Sequence, residues 1–279
     1  MNNEIKATRK TVFLILLIIL IATILTISIF LIFLIDENSN IEIPESIVNI
    51  NDIDYDSLNM DNSFYSYEKE DYRASIGLDL SEYNKEVDFY NLKEQGVEFV
   101  ILRIGWRGYY NPTLHIDKRF EEYYNNAKEV GLKIGVYFFS QAISVSEARQ
   151  EANFVIENLK EKPIDFYVAY DCETIDSSIA RTNKLDRAQA TVNAKTFLYL
   201  IEEAGYQPML YTNMDWIKNY YKPTILKEYP VWYAQYSRKP QYHGNHIIWQ
   251  YASGMTIDGI SGENGTDINL MILKEEEAD

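Results

Sequence analysis

Asp171 and Glu173 close the apolar run FYVAYDCE at D-x-E spacing. On an extended strand, side chains at i and i+2 leave the same face, so the two carboxyls converge while Cys172 turns away. Close carboxylates disfavour each other's charge, and one of them is then held protonated near neutral pH. Such a pair can protonate a leaving oxygen while its partner acts as nucleophile, base or electrostatic support, which is the requirement for cleaving a glycosidic bond. Alone, D-x-E at a strand end is also ordinary solvated loop charge. Asp79 changes that balance. It interrupts the apolar run IGLDLS between Leu78 and Leu80, where an unpaired charge is costly. Its alternative role is a helix cap, for which Ser81 is better suited. Asp267 opens TDINLMIL, and an Asp after Gly265-Thr266 is also common turn chemistry.

Aromatic residues gather at the same strand ends, among them Tyr137, Phe139, Tyr211, Trp232, Tyr233, Trp249 and Tyr251. Sugar rings stack on aromatic faces, so Tyr137, Tyr211, Trp232 and Trp249 are candidate substrate-binding residues; barrel packing is the competing role for each. Other chemistries find little support. His115, His243 and His246 have no metal-binding spacing and read as surface residues, so no metal and no cofactor is expected. No G-x-S-x-G elbow and no Gly-rich phosphate loop is present. Cys172, the only cysteine, has no recognisable histidine partner and reads as a small buried core thiol.

Eight strands are needed to position these residues. The apolar runs predict them near Ile76–Leu80, Phe99–Ile104, Lys133–Phe139, Phe166–Tyr170, Gln207–Tyr211, Pro230–Ala234, His246–Tyr251 and Asp267–Ile272. The runs are continuous rather than alternating, as in parallel strands buried on both faces. Helical periodicity falls near Asp88–Gln95, Lys118–Val130, Val145–Lys160, Asp186–Ala204 and Met214–Tyr220, with Gly96, Gly131 and Gly205 as helix-terminating glycines. The expected fold is α/β: a distorted TIM-like (β/α) barrel, whose active site lies at the C-terminal strand ends. Tyr236–Asn245 and Ala252–Thr266 carry turn residues without helical period. Because a parallel crossover normally needs about a dozen residues, the last strands are expected to be partly antiparallel or the barrel distorted.

The barrel is assigned residues 74–279. Before it, Val12 to Ile35 is apolar except for Thr23, Thr26 and Ser28. At ~1.5 Å per residue this run is ~36 Å long, enough to cross a membrane. It is too long for a cleaved signal peptide and has no A-x-A site after it. Residues 11–35 are therefore expected to be a single transmembrane signal anchor, with residues 1–10 as a cytoplasmic tail. Lys6, Arg9 and Lys10 precede the anchor and acids follow it, which places the rest of the chain outside the cell membrane. Residues 36–73, rich in acids and without glycine, are expected to form a solvated, self-repelling stalk. The chain carries a net charge of −16; Lys6, Arg9 and Lys10 against Glu4 leave −18 on residues 11–279. Such a surface argues against a nucleic-acid partner.

These motifs resemble the glycoside hydrolase family 25 muramidases, the Chalaropsis-type lysozymes, over about Ser75 to Leu273. IGLDLSEYN is similar to the family's opening G-I-D-V-S motif, GVEFVILRIGWRG to its second strand, and VAYDCE to its D-x-E motif. The stretch from Asp117 to Tyr137, then PMLYT, VWYAQY, IIWQYAS and GTDINL, follow in the family's order. The resemblance implies a barrel lacking full helices after its last strands. It also implies hydrolysis of the β-1,4 bond between N-acetylmuramic acid and N-acetylglucosamine in peptidoglycan. Glu173 would be the general acid and Asp171 its partner carboxylate, with Asp79 and Asp267 completing the acidic cluster and Tyr137 and Tyr211 lining the site. The family often has histidine where Phe138 stands, which places any hydrogen bond from that histidine in doubt. A chitinase-like D-x-x-D-x-D-x-E motif would need acids where Phe166 and Ala169 stand, and is set aside.

The expected function is a membrane-tethered muramidase acting on peptidoglycan glycan strands in wall remodelling or lysis. The alternative is a non-catalytic, membrane-anchored glycan-binding or scaffold protein, against which the complete acidic set argues. No protein partner is identified by the sequence.

Overall fold

The computed structural model describes residues 46–275, apart from Asn62, Glu68 and Glu70. The apolar runs form strands buried on both faces, and eight of them close into a barrel. In chain order they are β3 (Tyr72–Leu80), β4 (Val97–Arg107), β6 (Lys133–Phe139), β7 (Tyr167–Asp171), β8 (Gln207–Asn213), β9 (Val231–Ala234), β10 (His246–Met255) and β11 (Thr266–Lys274). Two short strands precede β3, β1 (Leu58–Asp61) and β2 (Phe64–Tyr67), which pair as a hairpin. A third, β5 (Leu114–Ile116), folds back antiparallel on the end of β4. Neighbours are parallel from β3 through β10. The exception is β11, antiparallel to both β10 and β3. The short crossover after β10 allows only that return.

Helices cover the outer face where the crossovers are long: α1 (Phe89–Glu94), α2 (Phe120–Glu129), α3 (Val145–Leu159), α4 (Arg187–Glu203), α5 (Met214–Asn219) and α6 (Ile225–Glu228). Asp88, Ser144, Asp186 and Asn213 each accept from a backbone N–H of the first turn of α1, α3, α4 and α5, satisfying donors the helix cannot pair itself. Gly96, Gly131 and Gly205 have positive φ, as the end of a helix favours. Between the helices and the barrel lies one apolar layer, and the barrel interior holds a second around Phe99, Ile101, Tyr167, Met209, Trp232 and Met271. Gly77 faces inward beside Phe99; a Cβ there would lie 2.2 Å from the Phe99 ring, so the ring fills the space a side chain would take.

The expected stalk is corrected by the structure over residues 46–73. Ile50 and Ile53 are buried, as are Tyr65 and Tyr67 of β2. Residues 46–67 form a strap over the outer face of β10. Tyr65 stacks on Trp249 with centroids 5.8 Å apart and lies 4.7 Å from Tyr251. The N-terminal end of the strap pairs with β11 through Val48 N–H to Ile272 O and Lys274 N–H to Ser46 O. The crossover from β9 to β10 has no helix, so an apolar face is left that needs cover, and the strap provides it. An acidic composition without sustained periodicity hid a segment that is anchored by a few buried side chains, Ile50, Ile53, Tyr65 and Tyr67. The folded body therefore begins well before residue 74. The expected cytoplasmic tail, transmembrane anchor and residues 36–45 lie outside the described residues; among the described residues no helix is long and apolar enough to cross a membrane.

Ile50→Ala is expected to destabilise the protein by about 2–5 kcal/mol, the cost of a cavity in a packed core. A solvated stalk position would change stability by no more than about 0.5 kcal/mol. Urea unfolding followed by tryptophan fluorescence distinguishes the two.

Candidate active site

Strand polarity assembles the site. Asp79 is near the C-terminal end of β3, and Asp171 ends β7 with Glu173 two residues on. Asp267 is at the start of its strand, but β11 runs in reverse, so its first residues reach the same mouth. Asp267 is paired directly with Asp79, and Asn269 with Gly77. Asp79, Asp171, Glu173 and Asp267 thus line one cleft of about 770 Å³. Tyr137, Tyr211 and Trp232 line it too, with Trp232 meeting both tyrosine rings edge to face.

Asp79 Oδ2 accepts from Gln250 Nε2 and Asn269 Nδ2, each at 2.9 Å. Asn269 Oδ1 in turn accepts from Trp232 Nε1 at 2.7 Å. An indole N–H can only donate, so it fixes the amide with its NH₂ toward Asp79. Gln250 Oε1 accepts from the hydroxyls of Tyr211 and Tyr236, both at 3.0 Å. Asp267 Oδ1 accepts from Gly254 N–H at 2.9 Å. Asp171 is 5% exposed, and its Oδ1 has no hydrogen-bond partner.

The electrostatics follow from this crowding. Burial, then repulsion from Asp267, raises the Asp79 carboxyl well above its ordinary range, with the Asn269 and Gln250 hydrogen bonds opposing. Burial raises Asp171 in the same way, followed by Glu173 and Asp79, while the Arg103 cation opposes. Glu173 is raised to about 7 by burial and then by Asp267. Protons are therefore retained here at a pH where isolated carboxyls have lost them.

Arg103 projects inward from β4. Its Nε donates to Asp117 Oδ2 at 2.8 Å, and its guanidinium lies 4.9 Å and 4.8 Å from the Tyr83 and Trp106 ring centroids. Trp106 stacks in turn on His115. Tyr109 and Tyr110, both exposed, extend the cleft wall. Behind Asp171, its carbonyl accepts from Ser140 N–H at 2.6 Å. The Ser140 hydroxyl donates to Glu151, which is buried in an ion pair with Arg107 at 2.7 Å.

Trp249 is corrected: it is not in the cleft. Its side chain leaves the opposite face of β10 from Gln250, is fully buried beneath the strap, and donates from Nε1 to Gln235 O at 2.8 Å. His246, read as a surface residue, is also buried, and burial lowers its pKa to about 4; His115 and His243 are exposed. Phe138 faces the helix layer, packing between Phe154 and Phe197, so the departure from the family's histidine falls outside the cleft. Cys172 is buried on the far side of β7, and burial pushes its thiol well up. Gln250, Asn269 and Arg103 were missed by the sequence reading, although each interrupts an apolar strand as Asp79 does. Among the described residues, no group of three His, Cys, Asp or Glu is disposed to hold a metal ion.

The profile of glycosyl hydrolases family 25 matches residues 78–260. The chain belongs to this family. It is 28% identical over 193 residues to the autolytic lysozyme of Clostridium acetobutylicum, covering 68% of this chain and 54% of that protein. The chain thus spans about half the length of the curated relative it matches. Two solved structures share the family 25 chain's fold. The modular autolysin LytC of Streptococcus pneumoniae, solved with a synthetic peptidoglycan ligand, has a TM-score of 0.63 at 21% identity, covering 77% of this chain and 52% of its own. The spore cortex lytic enzyme SleM of Clostridium perfringens has a TM-score of 0.61 at 24% identity, covering 71% and 67%.

Two measurements check this electrostatic picture. In native protein Cys172 is expected to resist a thiol reagent and to react fully once the chain is unfolded. For Glu173, a folded pKa above the unfolded value means that the native state binds the extra proton, so its contribution to stability falls as pH rises from about 4.5 through about 7. Glu173→Gln is expected to be more stable than wild type at pH 8, by more than about 1 kcal/mol. The gap should close toward pH 4.5 in parallel denaturation curves.

Proposed function

We propose that this chain is a muramidase: it hydrolyses the β-1,4 bond between N-acetylmuramic acid and N-acetylglucosamine in peptidoglycan. The observation that carries the reading is Glu173, raised to about 7 in an open cleft beside the buried Asp171. A carboxyl so placed is protonated at neutral pH and can give its proton to the glycosidic oxygen. Asp171 Oδ1, buried without a partner, is placed to accept from the acetamido N–H of the sugar whose bond breaks or to stabilise positive charge that develops at its anomeric carbon. Burial and the charge of Asp267 keep the proton on Glu173, and Tyr137, Tyr211 and Trp232 form the floor on which a sugar ring rests. The family membership and the likeness to an autolytic lysozyme support the same substrate.

We also propose that the catalytic body lies outside the cell membrane, tethered through residues 11–35, where it serves wall remodelling or lysis. Its support is the apolar run and the basic residues before it. Recovery of full-length protein in the membrane fraction, with its catalytic body cut by external protease, is the expected result; release of the whole chain into the medium overturns it.

Purified wild type is expected to release new reducing ends from sacculi, with N-acetylmuramic acid as the reducing sugar. Reducing N-acetylglucosamine, or no release, overturns the muramidase reading. Glu173→Gln should lower kcat by about a hundredfold to ten-thousandfold, the usual range for loss of a general acid. Because the acid must be protonated, wild-type activity should fall as pH rises through about 7.

A further inference from the structure

The upper part of β10 is poorly held by its own sheet. Its pairing with β9 ends at Gln250, opposite Ala234. Its pairing with β11 is irregular between Gln250 and Ala252 and again before Met255. No helix follows β9 to press on this strand from outside. Yet Gln250 is buried and makes three side-chain hydrogen bonds, one to Asp79 and two from tyrosine hydroxyls. Gln250 is the last residue of β10 with a register partner on both sides, Ala234 and Asn269, before the pairing becomes irregular, so whatever fixes the strand around and beyond it bears on its side chain.

The strap grips the residues on either side. Tyr65 stacks on Trp249 and packs against Tyr251. Tyr55 meets Trp249 edge-on at 6.4 Å, and the Tyr251 hydroxyl donates to Ser63 O at 2.9 Å. Alternation along a strand means that fixing Trp249 and Tyr251 outside fixes Gln250 inside. We infer that the strap is part of the active-site apparatus: Tyr65, by clamping Trp249 and Tyr251, makes Gln250 the positioning residue for Asp79. None of the strap lies within the stretch matched to the family.

Asp79 faces Asp267 on β11 and Glu173 after β7, and it also repels Asp171. Its orientation among these like charges depends on the two amides that donate to it. If β10 shifts outward, one donor is lost and Asp79 is free to turn within the cluster. Small displacements of a positioned group lower rate more than binding, so the expected signature is in kcat.

The kinetic part of the test rests on the muramidase reading; the spectroscopic part does not. Full-length wild type, Tyr65→Ala, Gln250→Met and the double variant are compared on purified peptidoglycan, well below their unfolding temperatures. Each single variant should lower kcat about tenfold or more, as expected for loss of a buried hydrogen bond that leaves its partner unsatisfied, with KM changed less than about twofold. The double variant should be no slower than the slower single one, because both changes remove the same interaction. Tyr65→Phe, which keeps the ring, should restore the rate lost in Tyr65→Ala. Additive losses, or a loss confined to KM, overturn the inference. The Gln250 side-chain amide protons, followed by NMR, should exchange with solvent at least about tenfold faster in Tyr65→Ala; unchanged exchange also overturns it. A wild type that cleaves no peptidoglycan but shows the exchange difference overturns the muramidase reading and supports the positioning role.

Discussion

Four carboxyl groups share one mouth of the barrel, and their mutual repulsion is the constraint around which the structure is arranged. Gathering like charges out of water is unfavourable unless protons or hydrogen-bond donors compensate. Both compensations are present. Asp79 takes two amide donors, Asp267 takes a backbone N–H, and Arg103 offsets part of the field at Asp171. Glu173 holds its proton instead. Such a cluster persists only in rigid surroundings. The barrel supplies them through an interior that is apolar around Phe99, Tyr167 and Met271 and becomes polar toward Arg103, Asn269 and Gln250.

Rigidity is reached without a regular barrel. One reversed strand closes the sheet, and this reversal sets Asp267 opposite Asp79. It also removes a crossover and its helix. The crossover between β9 and β10 lost its helix as well, and the outer face of β10 is covered from the other end of the chain. The strap thus completes a layer that a regular α/β barrel makes from its own repeats.

The barrel and the acidic cluster were legible because burial on both faces leaves continuous apolar runs, in which a charge is conspicuous. Asp79 between Leu78 and Leu80 is such a charge. Gln250, Asn269 and Arg103 also interrupt apolar runs, but a neutral amide is cheaper to bury than a charge and the arginine stem is itself apolar, so their signal is weaker. Proximity to the strand end does not place Trp249, because parity decides the face: Trp232 faces the cleft, whereas Trp249 is one position out of phase with Gln250. The strap was illegible for a different reason. Its contacts are non-local and rest on a few side chains, chiefly Ile50, Ile53, Tyr65 and Tyr67, so no periodicity announces them within the segment itself.

That non-locality bears on how the chain reaches its folded state. Asn49 accepts from His246 N–H, and the Tyr251 hydroxyl donates to Ser63, across sequence separations of 197 and 188 residues. During synthesis the strap emerges first, but its docking surface is complete only when β10 and β11 have been made. Contacts of such long range form late, since the intervening loop must be closed before they return any stabilisation. Until then its isoleucines and tyrosines stay exposed, a state in which chains are prone to associate wrongly. Docking of the strap is therefore a natural last step of assembly, and one that a truncated or stalled chain could not carry out.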